Sequence, residues 1–344
     1  MTLEGGIRVE EVALCLFCQQ AGTQLYAGLR DRLFGTPGLW GFLRCSQCGL
    51  VWLNPRPCAE DLHRVYATYY THVQDRKPSR LASWREKTKR ALYGAVSGHP
   101  TLVNGWGWRL FGSALSLMPP LKEIGRLGTM GLDGSRKGRL LDVGCGDGRF
   151  LALMRDAGWE VLGVENDPHA AEVARGCFGV PVIAPTLEEA CLSDGSVDVI
   201  TLNHVIEHVF DPVGLLSKCN RLLRTDGRLV VVTPNNQSLG SRQFGQSWVH
   251  LDPPRHLILL SSRALRTLAA RSGLTCATVR SSERNAQWTW AASCAIRDNG
   301  KFSDSDLDWQ ARLSGMVFQF REAVARRGKK GNGEELVLVA SKSA

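Results

Sequence analysis

Three glycines and an aspartate lie close together in this sequence and are able to form a ligand-binding loop. Asp142 ends an apolar run, and Gly144, Gly146 and Gly148 follow at two-residue intervals. Glycine has no Cβ, so the backbone can turn sharply there and approach a bound molecule closely. Dinucleotide-binding folds use G-x-G-x-x-G to seat a pyrophosphate, and the spacing here differs. The pattern predicts a nucleotide-type site for another class of ligand.

Carboxylates around this loop indicate the charge of its ligand. Asp142 and Asp147 lie on either side of the glycines, and Glu165 ends the next apolar run, 23 residues after Asp142. Negative charge in this place would repel a pyrophosphate and attract a cation. A carboxylate at the position of Glu165 can accept both hydrogen bonds of a ribose diol. We therefore expect a nucleoside that carries positive charge.

A second group of reactive side chains follows a later apolar run. The segment NHVIEH holds His204, Glu207 and His208, and imidazole and carboxylate are the common groups for moving protons. The same letters match H-x-x-E-H, a zinc-peptidase signature carried on a long helix. Here they come directly after a strand-like run and before Asp-Pro, which disfavours a peptidase. The alternative to a catalytic role is that Glu207 and His208 cap and orient the following helix.

The segment WVHLDPPRHLILLS is a third candidate, for holding the molecule on which the site acts. Two prolines stiffen it, and its indole, imidazole and guanidinium groups suit an anionic or aromatic partner. Packing at the edge of a sheet is the alternative for the indole and for the second imidazole. The candidate side chains are Trp248, His250, Arg255 and His256.

Four cysteines form two C-x-x-C pairs with 26 residues between them. The pairs are Cys15 with Cys18, and Cys45 with Cys48. Four thiolates in this arrangement make a tetrahedral zinc site with no position left for a catalytic water. Redox chemistry is the alternative, and it is disfavoured because neither pair opens a helix after a strand. The spacing predicts a structural Zn²⁺ site.

The elements that would position these groups follow a regular alternation. The sequence contains five apolar runs, RLLDVG, WEVLGVE, VPVIA, VDVITL and GRLVVVT, and amphipathic helical segments lie between most of them. Such alternation predicts a parallel sheet with right-handed crossovers, which is a doubly wound, Rossmann-like α/β domain. Two late strands, LTCATVRSS and ELVLVAS, are expected to complete the sheet with an antiparallel edge, with a helix from Asp306 to Arg326 in the long connection between them.

Composition divides the chain into three predicted domains. These are a zinc-binding module at 1–75, a basic and amphipathic helical insert or lid at 76–135, and the α/β domain at 136–344. With 344 residues and 44% hydrophobic content, the chain can bury a large core. No basic and apolar leader is visible, so we expect a cytoplasmic protein with reduced cysteines.

The insert has an unusual distribution of charge. Residues 76–90 contain seven basic residues and one acidic residue, and then an apolar stripe follows at helical spacing. The segment lacks the roughly 20 consecutive apolar residues that span a bilayer. Three roles are compatible with this segment. Residues 76–118 could contact an anionic membrane, form a lid over the molecule on which the site acts, or pack on the α/β domain. The stripe consists of Val103, Trp106, Leu110, Ala114 and Leu117.

Residues 138–236 resemble class I S-adenosylmethionine-dependent methyltransferases. LLDVGCGDGRF is similar to the glycine motif of that family, VLGVEND to its ribose-binding strand, and TLEEACL to the block beside adenine. The family often carries Asp at the position of Thr186, where this chain departs from it. The resemblance implies S-adenosylmethionine as the cofactor, held by Asp142, Gly144, Gly146, Gly148, Glu165, Asn166, Thr186, Leu187 and Asn203.

Two narrower resemblances bear on the acceptor. Quinone-ring O-methyltransferases have a segment similar to E-x-x-E-H that is associated with a divalent cation, and His204 replaces its first Glu here. The second cysteine pair continues as CGLVWLNPRP, and this segment resembles the N-terminal zinc modules that precede methyltransferases of sugar and antibiotic biosynthesis, among them sugar C-methyltransferases. These resemblances imply methyl transfer to oxygen or carbon of a small or lipid-linked, sugar-like or quinone-like metabolite. The catalytic candidates are His204, Glu207, His208 and His256.

Two other functions stay open at this point. The net charge of +9 tolerates an anionic partner, and one family of ribosomal RNA methyltransferases also joins a zinc module to this fold. Its zinc knuckles include a histidine ligand, so we expect nucleic acid to be an unlikely partner. The third possibility is a zinc-stabilised module that binds the cofactor without turnover.

Overall fold

A computed structural model describes residues 6–66, 80–328 and 331–342 of the chain. The chain forms two compact units. The first unit contains Met1–Tyr69, His204–Ser217 and Val231–Ala340, and the second contains Tyr70–Asn203, Lys218–Val230 and Ser341–Ala344. Arg76 and Lys77 of the predicted basic segment lie outside the described residues.

The first unit begins with short strands around the cysteine pairs. Strands β2, β3 and β4 pair antiparallel in that order, and β1 pairs antiparallel with β5. The elements are β1 (Val9–Glu10), β2 (Thr23–Leu29), β3 (Trp40–Arg44), β4 (Val51–Leu53), β5 (Arg56–Pro57) and α1 (Leu62–Val65).

The second unit contains the predicted alternation of strands and helices. Its helices and strands are α2 (Arg80–Ser97), α3 (Trp106–Leu115), α4 (Pro119–Gly128), β6 (Arg139–Val143), α5 (Arg149–Asp156), β7 (Glu160–Val164), α6 (Pro168–Phe178), β8 (Val182–Ala184) and β9 (Val197–Asn203). The strands are parallel in the order β9-β6-β7-β8, with Leu141 and Ile200 wholly buried between the helical layers. The expected doubly wound α/β fold is confirmed.

Local sequence explains where these elements begin and end. The Asp167 side chain accepts hydrogen bonds from the backbone N–H groups of His169 and Ala170, so it caps the start of α6. Gly179 ends that helix in the left-handed conformation, at φ 60°. Gly148, at φ 81°, begins α5 directly after the glycine loop. The loop is therefore fixed between a strand and a helix.

The remaining elements follow α7 (Pro212–Leu222) and β10 (Leu223–Pro234), which each contain residues of both units. They are α8 (Leu239–Phe244), β11 (Ile258–Leu259), α9 (Ser262–Arg271), β12 (Leu274–Ser282), α10 (Ala286–Asn299), α11 (Trp309–Gly328) and β13 (Glu335–Lys342). Strand β13 lies between β12 and β10. Both late strands that the sequence predicts are therefore present, and they follow β10 in the strand order.

The cysteine-rich segment shares a sheet and a core with later residues of the first unit. Strand β11 pairs antiparallel with β4, so Ile258 lies opposite Trp52. Trp40 and Phe42 belong to one apolar cluster with Trp248 and Leu259. Within this unit, the cysteine-rich segment therefore does not form a sheet and core of its own. The domain boundaries at 75 and 135 stay a prediction.

The insert forms helices whose apolar residues are only partly covered. Rings of Trp84, Trp108 and Phe111 lie against each other, with centroids 5.8 to 6.5 Å apart. Of the predicted stripe, Val103 is buried, whereas Trp106 is 79% exposed. Among the described helices, none combines the length and the apolar character that a bilayer span requires.

Candidate functional site

The glycine loop in the second unit follows β6 at the carboxyl end of the parallel strands. Gly144, Gly146 and Gly148 have φ angles of 72°, 54° and 81°, a region that residues with a Cβ rarely adopt. A Cβ on Gly148 would lie 2.8 Å from that of Ala174, so this glycine is needed for packing against α6. A Cβ on Gly146 would meet no atom of the described residues within 4 Å. Space is therefore open beside Gly146, where a ligand would approach the backbone.

Two carboxylates face this loop. Glu165 accepts hydrogen bonds from the backbone N–H groups of Gly146 and Asp167, each at 2.8 Å, and burial raises its pKa. Asp142 is buried and accepts a hydrogen bond of 2.6 Å from the Thr201 hydroxyl. Burial and the nearby charge of Glu165 raise the pKa of Asp142 to about 8. A cation bound here would favour the charged forms of both groups, so the site suits a positively charged ligand.

The third predicted acid is engaged elsewhere. Asp147 forms an ion pair with Arg149, with 2.9 Å between the carboxylate and Nε. Asp147 is therefore paired within the chain, and Asp142 and Glu165 are the carboxyl groups whose charged forms a bound cation would favour. The structure brings the glycine loop and Glu165 together, and their role in holding a cofactor stays a prediction.

The predicted adenine-side and outer residues lie at neighbouring strand ends. Thr186 donates a hydrogen bond of 2.8 Å to the Glu189 carboxylate, and the Glu189 N–H donates one of 3.3 Å to the Thr186 hydroxyl. The Thr186 hydroxyl therefore bonds both the side chain and the backbone of Glu189 and serves the local turn. Leu187 is buried, while Asn166 and Asn203 are exposed after β7 and at the end of β9.

In the first unit, His204 lies between two buried carboxylates. Its Nδ1 is 3.1 Å from Glu207 Oε1, and its Nε2 is 2.8 Å from Glu335 Oε1. Its backbone has a φ of 56°, and its N–H donates to the Val232 carbonyl at 2.8 Å. Left-handed non-glycine residues are uncommon and concentrate at functional sites.

The two carboxylates decide the protonation of His204. Burial alone would lower its pKa, but the hydrogen bonds with Glu207 and Glu335 outweigh burial and raise the pKa to about 9. Both ring nitrogens then donate protons, which leaves no lone pair to accept one. Of the two histidines considered for a base, the geometry favours His208. Sequence reasoning missed Glu335, whose signal was a charged residue at the start of an apolar strand.

His208 and His256, unlike His204, are held by backbone carbonyls through one ring nitrogen each. The Nδ1 atom of His208 lies 3.1 Å from the Arg255 carbonyl and 2.9 Å from the Tyr66 hydroxyl, and that of His256 lies 2.7 Å from the His250 carbonyl. With Nδ1 protonated, each ring donates to a carbonyl and leaves Nε2 available. Burial and the charge of His256 lower the pKa of His208 to about 4, so His208 is neutral at physiological pH.

Glu207 joins these two histidines in one cluster. Donor atoms of Glu207, His208 and His256 all lie within 4.8 Å of one another. Glu207 is also held by the Thr233 hydroxyl, which donates to Oε2 at 2.9 Å. Histidines anchored through Nδ1 and a buried carboxylate are a donor set that suits a divalent cation or the removal of a proton.

Arg255 corrects one expectation from the sequence. It is wholly buried, and its guanidinium donates two hydrogen bonds to Asp31, at 2.7 and 2.8 Å, and further bonds to Asp252. It is therefore a structural cation and is not available to an acceptor. Trp248 is likewise buried, with its indole N–H donating to Glu334 at 3.0 Å. Asp31 precedes Arg255 by 224 residues, so no local pattern could reveal the pair.

The four cysteines come together in the first unit as two matching turns. All four Sγ atoms lie within 4.8 Å of one another, with Cys15 and Cys48 at 3.6 Å. The backbone N–H of the first cysteine in each pair donates to the carbonyl five residues later, at 2.8 Å in both turns. The residue after each second cysteine, Gln19 or Gly49, is left-handed. Two turns with the same hydrogen bonds form a preorganised tetrathiolate site.

The second turn is tied to later parts of the same unit. The Ser261 hydroxyl donates to the Cys48 carbonyl, and the Asn236 amide donates to the Gly49 carbonyl, each at 2.9 Å. Ser261 also caps α9 by accepting from the Ala264 N–H. The cysteine site therefore supports the start of α9 as well as its own strands.

Comparison with known proteins covers the central part of the chain. Residues 120–279 match a protein family described as a methyltransferase domain. A relative from Mycobacterium tuberculosis named "Probable S-adenosylmethionine-dependent methyltransferase" is 37% identical over 97 residues, which cover 28% of this chain and 35% of that protein. A ubiquinone biosynthesis O-methyltransferase of Cereibacter sphaeroides is 31% identical over 118 residues, covering 32% of this chain and 48% of its own length.

These matches span between about a third and half of the length of the curated relatives. Among solved structures, a possible histamine N-methyltransferase of Thermotoga maritima is 20% identical, covers 67% of this chain and 94% of that chain, and has a TM-score of 0.43. The matched family range contains both the glycine loop and the Glu207, His208 and His256 cluster.

Proposed function

We propose that this chain, which carries a methyltransferase domain at residues 120–279, is an S-adenosylmethionine-dependent methyltransferase. The observation that carries the proposal is the acidic site of the second unit. Glu165 accepts a hydrogen bond from the Gly146 N–H beside open space, and among the described residues neither Glu165 nor Asp142 accepts a hydrogen bond from a basic side chain. A cationic nucleoside supplies the missing positive charge.

The residues of the loop would bind the cofactor without taking part in bond breaking. S-adenosylmethionine, when bound, supplies a methyl group that its sulfonium already activates. Glu165 retains acceptor capacity for ribose hydroxyls beyond its two backbone hydrogen bonds, since a carboxylate offers about four lone-pair sites. Asp142 would stabilise positive charge on the ligand. Alignment of the acceptor with the methyl group then accounts for most of the rate.

We further propose a hydroxyl or carbon acceptor on a small or lipid-linked metabolite, with quinone-like and sugar-like compounds as the leading classes. Such nucleophiles must lose a proton, and the available Nε2 atoms of His208 and His256 suit its removal. His204, between Glu207 and Glu335, would hold this cluster in position. The names of ubiquinone O-methyltransferase relatives support the quinone-like class.

A structural zinc ion at Cys15, Cys18, Cys45 and Cys48 completes the proposal. The donor set fits Zn²⁺ because four thiolates in two matching turns satisfy a tetrahedral ion. No ligand position would remain for water. The ion would therefore stabilise the first unit and would not act on the methyl acceptor.

Contact of residues 76–118 with an anionic membrane remains a separate proposal. It is supported by the exposure of Trp106 and Leu110, and by exposed Arg85, Lys87 and Lys89 on α2. A lipid-linked acceptor would be reached from such a surface.

Calorimetry with S-adenosylmethionine tests the assignment. We expect Glu165→Ala and Gly146→Val to weaken binding at least tenfold, since one removes ribose acceptors and the other fills the approach to the loop. Glu160→Ala is the matched control, because Glu160 is an exposed glutamate of β7 that pairs with Arg139. Unchanged affinity in both loop variants would refute the cofactor site.

A transfer assay then identifies the acceptor class. Methyl-labelled cofactor should label a catechol or hydroquinone lipid precursor or a nucleotide sugar, and His208→Ala should abolish labelling while cofactor affinity stays unchanged. Labelling of RNA with steep salt dependence would point to RNA modification instead. Cofactor binding without transfer to any of these acceptors would favour a non-catalytic module.

A further inference from the structure

Helix α11 of the first unit exposes a continuous apolar stripe. Six large side chains at helical spacing are each between 51% and 69% exposed, namely Trp309, Leu313, Met316, Val317, Phe320 and Val324. Single exposed apolar residues are common, but a contiguous stripe of this size usually marks an interaction surface. Among these residues, none is needed for the cofactor site or the cysteine site.

The opposite side of α11 is firmly packed, so rotation of the helix cannot bury the stripe. Phe318 is buried, and its ring centroid lies 4.5 Å from that of Trp290 on α10. A Cβ on Gly315 would come within 2.5 Å of the Gln287 carbonyl oxygen. The Gln319 amide donates to the Glu283 carbonyl at 2.9 Å. The fold thus fixes the stripe toward solvent.

An apolar groove runs along one side of the stripe, between α10 and α11. Its volume is about 470 Å³, and Trp290, Leu313 and Val317 line it, with the guanidinium-bearing Arg321 among the lining residues. Apolar walls with a cation suit a molecule that has a hydrocarbon part and an anionic part. A phospholipid has this composition.

The exposed side chains of α11 that carry charge favour a negatively charged partner. Between Trp309 and Ala325, Arg312 and Arg321 are exposed, whereas Glu322, the acid in that range, is buried. An amphipathic helix with aromatic and aliphatic residues on one side and arginines beside them is typical of binding at the surface of an anionic membrane. We propose that the α11 face docks on a bilayer that contains anionic phospholipids.

A second copy of the chain fits this face less well. Pairing two α11 helices through the stripe would bring Arg312 and Arg321 of both copies to the same interface. Over the described range Trp309–Ala325 the one acid, Glu322, is buried, and the exposed carboxylate beside the helix, Asp308, caps its first turn by accepting from the Ala311 N–H. Anionic headgroups supply the compensating negative charge. The membrane proposal concerns a surface of the chain and holds whatever the methyl acceptor is.

Vesicle co-sedimentation of the full chain tests the proposal. We expect binding to vesicles of phosphatidylcholine with phosphatidylserine and much weaker binding to phosphatidylcholine alone. Replacing Trp309, Leu313 and Phe320 together by serine should weaken binding more than tenfold, because the buried apolar area is lost. Arg312→Gln and Arg321→Gln should each cost about fivefold, since a basic residue near an anionic surface contributes about 1 kcal/mol.

Matched controls separate these effects from unfolding. Leu39→Ser and Lys301→Gln change an exposed leucine and an exposed lysine of the same unit, and both should bind vesicles like the native chain. Every variant should keep its calorimetric affinity for S-adenosylmethionine if the fold is intact. The result then stands apart from the methyltransferase proposal.

Three results would overturn the membrane assignment. The first is equal binding to both kinds of vesicle, and the second is native-like binding by the triple serine variant. The third is a dimer in sedimentation velocity that the triple variant dissociates, without vesicle binding by the native chain. Retention of binding in the α11 variants with loss in Trp106→Ser and Leu110→Ser would move the contact to α3.

Discussion

Two buried aspartates illustrate how the same residue type serves different purposes. Asp31 receives a bidentate pair of hydrogen bonds from Arg255, which outweighs burial and lowers its pKa to about 2. Asp142 faces a hydroxyl and another carboxylate, and burial raises its pKa to about 8. The charge of Asp31 is balanced by a cation of the protein itself. Asp142 has no such cation among its hydrogen-bond partners, and a strongly shifted pKa without a compensating charge is typical of a binding site.

Asp142→Asn should separate stability from binding. The amide removes a buried group that resists ionisation, so we expect the melting temperature to stay the same or to rise. Affinity for S-adenosylmethionine should fall about 10- to 100-fold, as for loss of a hydrogen bond to a charged group. Thermal unfolding and calorimetry on the same preparation measure both. A lower melting temperature with unchanged affinity would give Asp142 a structural role.

Arg255→Met should be strongly destabilising. It leaves Asp31 and Asp252 buried without their cation, and loss of one partner of a buried ion pair costs about 3 to 5 kcal/mol. Arg297→Met is the control, because the Arg297 and Asp298 side chains are both more than half exposed, and such pairs contribute about 1 kcal/mol or less. Urea unfolding compares the two variants. Equal effects would mean that the buried pair adds nothing specific.

At the scale of elements, short turns position the side chains of both the histidine cluster and the cysteine site. His204 takes a left-handed conformation directly after β9, and this bend lets one ring reach both Glu207 and Glu335. The two cysteine turns repeat the same backbone hydrogen bonds at Cys15 and Cys45. In each case, the backbone conformation of a few residues fixes the direction of the functional side chains.

Cys48→Ser should reduce bound zinc and stability together. The purified native chain should contain one zinc ion by elemental analysis, and the variant should lose most of it. Because the Cys48 carbonyl also accepts from Ser261 at the start of α9, we expect a melting temperature lower by several degrees. Cys177→Ser, at an exposed cysteine of α6, is the control. Native protein without zinc would contradict the assignment.

Acid sensitivity belongs to the scale of the whole molecule. The pKa values of Asp31 and Glu335 are both lowered to about 2, against burial, by Arg255 in one case and by Arg284 with His204 in the other. A lowered pKa stabilises the folded state above the unfolded value, about 4, and this contribution is lost as the pH falls toward 2. We expect the melting temperature to fall steeply over this range.

Arg255→Met provides the comparison for this pH dependence. Without its cation, Asp31 has a higher pKa in the folded state, so the melting temperature of the variant should depend less on pH between 4 and 2. Thermal scans at a series of pH values measure the two slopes. Parallel curves for the native chain and the variant would show that other groups control acid unfolding.

The sequence by itself determined the alternation of strands and helices, the glycine loop with Glu165 at neighbouring strand ends, and the pairing of four cysteines. These features depend on local periodicity and short spacing, which the backbone geometry of helices, strands and turns converts directly into position. Methyl transfer and its acceptor remain proposals that depend on this arrangement.

Only the tertiary structure decided the partners of Arg255 and His204 and the exposure of α11. Arg255 meets Asp31 across 224 residues, and His204 meets Glu335 across 131. The apolar spacing of α11 would suit a buried helix equally well, and packing on α10 through its other side leaves the stripe outside. Charge pairing and burial depend on which distant segments meet, and a local pattern contains no information about that choice.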